Sequence, residues 1–148
     1  MLVPHGALVL VVDGSRMQLL RNRGKDNAPE LEIIGEQIQA DPPTRALASD
    51  GPGRSFESAG STRHAYATTD YHQQREDRFG EMALAFLQSN GSHDAPIVLI
   101  APPHMLGELR KARNTQIERR TIAEIDKDLT HLQAQELAAF LLGFALKL

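Results

Sequence analysis

A chain of 148 residues with 41% hydrophobic and 24% charged residues is one ordinary globular domain, long enough to bury a real core. Its net charge of −3 argues against a protein that coats nucleic acid non-specifically, although it leaves room for a local basic patch. The absence of cysteine excludes disulfides and thiolate chemistry, so a metal site would have to draw on His, Asp, Glu and main-chain oxygen.

Met1–Gly6 lacks a basic n-region, and the apolar run after it stops at Asp13, too short to cross a bilayer. That reading makes the chain a cytoplasmic protein with no membrane association. Ala7–Val12 is continuously apolar, as in a strand buried on both faces. Asp13-Gly14-Ser15 is a hairpin signal leading into a second strand, Met17–Arg21, with Met17 and Leu19 on one face. After a turn-rich break at 22–29, Leu31–Ile38 is a third strand, with Leu31, Ile33 and Gly35 alternating toward the other face.

A long polar segment follows, about 40–69. Connections of this length inside small domains are usually functional or disordered. Residues 49–72 carry Asp50, Arg54, Arg63, His64, Asp70 and His72, which are site-type residues rather than linker filler. Asp70 with Gln73 has capping-box spacing and opens a helix over Tyr71–Gln88, whose stripe is Phe79, Met82, Ala83, Phe86 and Leu87. Ile97–Ala101 is a buried strand. Pro102-Pro103 opens a helix with Leu106, Leu109 and Ala112 inward. Ile117–Ile125 reads as the last strand. Thr130 with Gln133 caps a final helix at about 131–145, carrying Leu132, Leu137, Phe140, Leu141 and Phe144.

The order β-β-β-α-β-α-β-α, with right-handed crossovers, predicts a single α/β domain over 1–148. Its mixed five-stranded sheet has the order 3-2-1-4-5, the ribonuclease-H-like topology. Strands 1, 4 and 5 then end on one edge at Asp13, at Pro102-Pro103-His104 and at Asp126-Lys127-Asp128. In open α/β sheets, that edge is where ligands usually bind.

Several blocks of residues resemble one family. They are Ser49-Asp50-Gly51-Pro52-Gly53-Arg54-Ser55-Phe56, Arg63-His64, Thr69-Asp70 with His72, Ala101-Pro102-Pro103 with Leu106-Gly107 and Leu109-Arg110, and Ala123–Thr130. In this order and spacing the chain resembles the bacterial host attachment proteins. That family looks like a relative of the middle domain of archaeal and eukaryotic peptide-chain release factors. The resemblance implies a ribonuclease-H-like fold and a translation- or RNA-associated binding role, with tRNA or ribosomal RNA as partner. The Gly-Gly-Gln loop of release factors is missing, since the chain contains no Gly-Gly dipeptide.

Four groups of residues are candidates for chemistry, each with a bland alternative. Asp50, Gly51, Gly53, Arg54 and Ser55 suit an anion-binding loop, or a loop pinned by Arg54 to Asp50 or Glu57. His64, Asp70 and His72 suit acid–base groups or metal ligands, or a helix cap with exposed imidazoles, and Arg63 and His72 also suit anion binding. Asp13 with Asp126 or Asp128 suits a metal-dependent phosphoester hydrolase, while Lys127 and His131 suit an anion beside Asp13. The alternatives there are a turn aspartate, a surface Asp–Lys pair and capping by Thr130. Arg110, Lys111, Arg113, Arg119 and Arg120, opposed by Glu118, suit RNA phosphates, or simply the C-terminal ends of helices. Neither a metal nor a cofactor is expected. A protein-interaction module that affects attachment indirectly is the other class of function.

Overall fold

The computed structural model describes residues 1–38 and 78–144. Among them, five strands and four helices follow in the order β1 (Leu8–Val12), β2 (Arg16–Asn22), β3 (Leu31–Ile38), α1 (78–90), β4 (Ile97–Ile100), α2 (Pro103–Ala112), α3 (Thr115–Arg120), β5 (Thr121–Ile125) and α4 (Ala134–Gly143). The sheet runs β3-β2-β1-β4-β5, the order expected from the sequence. β1 pairs antiparallel with β2 and parallel with β4, and β5 lies parallel to β4 on the outside.

The continuous apolar runs of β1 and β4 reflect burial on both sides: every residue of both strands is buried. Leu8, Leu10, Val12, Met17 and Leu19 face α1 and α2, where Phe79, Leu84, Leu87, Met105 and Leu109 meet them. Val9, Val11, Leu20, Val98 and Ile100 face α4 through Leu137 and Leu141, with Phe140 and Phe144 packed alongside. Each such fully buried aliphatic side chain contributes roughly 1.5–3 kcal/mol of hydrophobic transfer energy.

Four local expectations need correction. The α1 stripe is Phe79, Ala83, Leu84 and Leu87 with Phe86 partly buried beside them, and Met82 lies 43% exposed; successive steps of four carry the buried face past Met82. On α2, Met105 replaces Ala112 on the inner face, since Ala112 falls in the exposed last turn. In β3 the register slips between Leu19 and Leu20, so Leu19 faces Gly35 while Leu20 faces Ile33. Ile34 is the extra residue, and the bulge turns Gly35 to the face opposite Ile33. There a Cβ at Gly35 would run into the ring of Phe86. Finally, Ile117–Arg120 is helical. Asn114 caps α3 by accepting from the Ile117 amide at 2.8 Å, and the strand starts only at Thr121.

Two further ties hold the ends of the sheet. Asn22 is fully buried, and its side chain donates to Val3 O at 2.8 Å and accepts from the Gly24 and Glu30 amides at 2.8 and 2.9 Å. The Met1 amino group donates to the carbonyls of Leu141, Leu142 and Phe144 at the end of α4.

Candidate functional site

The edge where β1, β4 and β5 end is organised around Asp13. One carboxylate oxygen accepts from the Ser15 and Arg16 amides, both at 2.7 Å, closing the β1–β2 turn. The other accepts from the Thr130 hydroxyl at 2.8 Å. The same hydroxyl oxygen lies 2.8 Å from Asp128 Oδ1. A hydroxyl has a single hydrogen, so Thr130 donates to one carboxylate at a time. The result is a carboxylate–hydroxyl–carboxylate chain joining the end of β1 to the segment that follows β5. Arg16 Nη1 makes a long contact to Thr130 O, at 3.5 Å.

Burial on its own would raise the Asp13 pKa. The bonds from the Ser15 main chain, the Thr130 hydroxyl, the Arg16 main chain and the Ser15 hydroxyl together outweigh it, and they hold the carboxyl below the ordinary aspartate range. Asp13 is therefore a carboxylate whose acceptor capacity is largely used inside the protein. Thr130 is buried and serves this chain rather than capping a helix; the α4 cap is Gln133, whose amide donates to Glu136 Oε1 at 2.9 Å.

Asp126, Lys127, Asp128 and His131 are exposed on this edge. The Lys127 ammonium sits 6.0 Å over the Phe140 ring. No ion pair joins Lys127 to a neighbouring aspartate among the described residues. Nor does any group of three His, Asp or Glu among the described residues come together as a metal ion would need.

The basic cluster is not an open patch. Glu124, on β5, receives Arg110 Nε at 2.6 Å and also pairs with Arg113 Nη1. Arg113 reaches Glu118 at 3.9 Å, and Lys111 reaches the buried Glu108 at 3.3 Å. Arg120 donates to the carbonyls of Ala95 and Ser92 at 2.8 and 2.5 Å. Only Arg119 of the five makes no such bond among the described residues. Burial would raise the Glu124 pKa, but the Arg113 and Arg110 bonds and charges outweigh it and hold the carboxyl low. Glu118 is thus a minor opponent, and Glu124 is the one that matters. Its partner positions 11 and 14 residues earlier give no sequence signal, because the pairing depends on α2 crossing the sheet beside β5.

Beside this network lies a cleft of 890 Å³ along β5, lined by residues that include Leu106, Arg110, Ile122, Glu124, Asp126 and Lys127. β5 has no strand on its outer side among the described residues, and Ile122 on it is 41% exposed.

Asp50, Gly51, Gly53, Arg54, Ser55, Arg63, His64, Asp70 and His72 all lie outside the described residues. The structure therefore brings together Asp13 and Asp128 through Thr130, and Arg110 and Arg113 through Glu124. Sequence reasoning missed Thr130 and Glu124 as the joining groups.

Among the described residues, no helix is long and apolar enough to cross a membrane. No curated protein matches the chain. A family model described as "protein required for attachment to host cells" matches residues 8–141, from the first strand to the last turns of α4. With almost the whole sheet and its helices inside that match, the chain belongs to the host attachment protein family.

Proposed function

We propose that this host attachment family protein works as a non-enzymatic interaction module, and that a protein partner engages it along the outer edge of β5. One observation carries the reading: among the described residues Asp13, Arg110, Lys111, Arg113 and Glu124 are engaged within the protein, whereas β5 has no strand on its outer side. Asp13 is occupied by four donors, and Glu124 holds two arginines. The cleft along β5 offers an exposed isoleucine between charges of both signs, Arg110 and Lys127 against Glu124 and Asp126. An extended segment carrying an apolar side chain flanked by mixed charges suits such an edge, with main-chain pairing for affinity and the cleft for selectivity.

The test is capture of a partner by the full chain, compared between Ile122→Lys and Ile33→Lys. Ile33 is equally exposed, at 47%, on the opposite edge strand. Loss of the captured protein with Ile122→Lys alone supports the β5 edge. Equal capture by both variants overturns it.

The second reading is a translation- or RNA-associated domain like the release-factor middle domain, without its Gly-Gly-Gln loop. What favours it is that Arg110 stays half-exposed and Lys111 mostly exposed despite their partners. It predicts RNA binding that weakens steeply with salt. Absence of RNA binding at low salt removes it.

A further inference from the structure

We propose that a pocket at the opposite end of the sheet from Asp13, lined by His5, Gly6, Arg21, Asn22, Arg23 and Ser92, binds a small phosphate-bearing anion. The pocket has a volume of 380 Å³. That suits a phosphate with a small organic body rather than a polymer. Among the described residues its lining includes two arginines, a histidine and a serine, and no acidic residue.

Arg21 is the central observation. It is half-buried at the end of β2, directly across from Glu32 in the β3 register, yet it makes no hydrogen bond or ion pair among the described residues. Glu32 instead receives Arg23 Nη1 at 2.5 Å. Arg23 keeps its remaining N–H donors, and Arg21 keeps all of its own. A partly buried arginine with no protein partner has its donors available to an anion, and its planar fork matches two phosphate oxygens.

The walls are already in position. Gly6 has a positive φ of 84°, and a Cβ there would meet nothing within 4 Å, so the main chain turns beside open space. The Gly6 amide donates to Asn22 O at 2.8 Å, and the Asn22 amide donates to Ala7 O at 2.9 Å. His5 Nδ1 donates to Gly24 O at 2.7 Å, which fixes the ring with Nδ1 carrying hydrogen. Arg120 grips the carbonyls of Ser92 and Ala95 and holds the third wall. Little ordering is left for a ligand to impose.

Calorimetric titration of the full chain with inorganic phosphate and with glycerol phosphate, at low ionic strength, tests this. Binding is expected, weakened about tenfold or more by Arg21→Gln, as for loss of a charge-assisted bidentate contact. Arg119→Gln, which removes an equally unpaired arginine elsewhere, leaves binding unchanged. Should Arg21→Gln fail to fold, Arg21→Lys keeps the charge without the fork and is expected to weaken binding by a smaller factor. Tighter binding of glycerol phosphate assigns the rest of the cavity to the ligand's body, and equal binding assigns recognition to the phosphate alone. Either result supports the site. No binding at millimolar ligand, undiminished binding in the Arg21 variants, or equal loss in Arg119→Gln overturns it.

Discussion

Thr130 Oγ1 lies 2.8 Å from Asp13 Oδ2, across 117 residues of sequence. This single bond ties the turn after the central strand to the segment that leads into the last helix. Thr130 is 6% exposed, so its loss leaves an acceptor with a missing donor in a partly dry site. Thr130→Val is expected to destabilise the fold by about 1–3 kcal/mol, while Thr130→Ser retains most of the stability. Urea denaturation of the two variants checks it, and equal midpoints would remove the bond from the account.

Acid should act through the same carboxylate. Asp13 and Glu124 both have folded pKa values held below their unfolded ones. A depressed carboxylate contributes stability that is fully present above the unfolded pKa, about 3.9 for Asp and 4.3 for Glu, and is lost as pH falls through the folded value. Stability should therefore be flat in these two groups above about pH 5 and decline below about pH 4. In Asp13→Asn the decline is expected to be shallower. Thermal midpoints measured from pH 2.5 to 7 decide this, and an unchanged acid limb in the variant counts against Asp13.

Removing Glu124 should uncover what it covers. Glu124→Gln deletes the carboxylate that holds Arg110 and Arg113. We expect a loss of about 1–3 kcal/mol, since the half-exposed Arg110 pair is solvent-screened but the Arg113 pair is mostly buried. Retention on immobilised heparin should rise to a higher salt concentration. Unchanged retention would mean that the two arginines stay masked by something other than Glu124.

Gly35 and Phe86 make a reciprocal pair. Any Cβ at 35 enters the Phe86 ring, so Gly35→Ala is expected to cost about 1–3 kcal/mol by overpacking. Phe86→Leu alone costs by loss of contact, but in the double variant it should return part of what Gly35→Ala lost. A double-mutant cycle by denaturation measures the coupling, and strict additivity of the two changes would contradict the contact.

Asn22→Ala should be the most damaging polar substitution in the described residues. The side chain is fully buried and links Val3, Gly24 and Glu30. Leaving two amides and a carbonyl unsatisfied costs about 1–3 kcal/mol for each group. A melting temperature close to that of the unaltered protein would show that water replaces the amide.

The strand order was legible because β1 and β4 are uninterrupted apolar runs, and because only one threading of a meander and two crossovers keeps both buried. The edge was legible for the same reason, since the ends of three parallel strands must meet there. What escaped was side-chain pairing between elements. Nothing about Glu124 in the sequence distinguishes it from a surface glutamate. The Thr130–Gln133 spacing pointed to a cap, whereas the cap is one register later, at Gln133 with Glu136. Helix α3 escaped because Ile117 alternates with polar neighbours as a strand would; the signal that could have found it is Asn114, a residue type favoured as an N-cap. The bulge at Ile34 was invisible because one extra residue changes which face is buried without changing composition.

The place of β1 in the sheet has a consequence for how the chain is assembled. Leu8–Val12 finds its first neighbour across the short Asp13-Gly14-Ser15 turn, but its second only when Ile97–Ile100 has been made. Until then this wholly apolar strand presents one free edge. The meander β1–β3 thus holds an unpaired apolar strand edge until β4 is available to cover it. Closure of the parallel β1–β4 pair, which must bring distant parts of the chain together, is expected to set the folding rate.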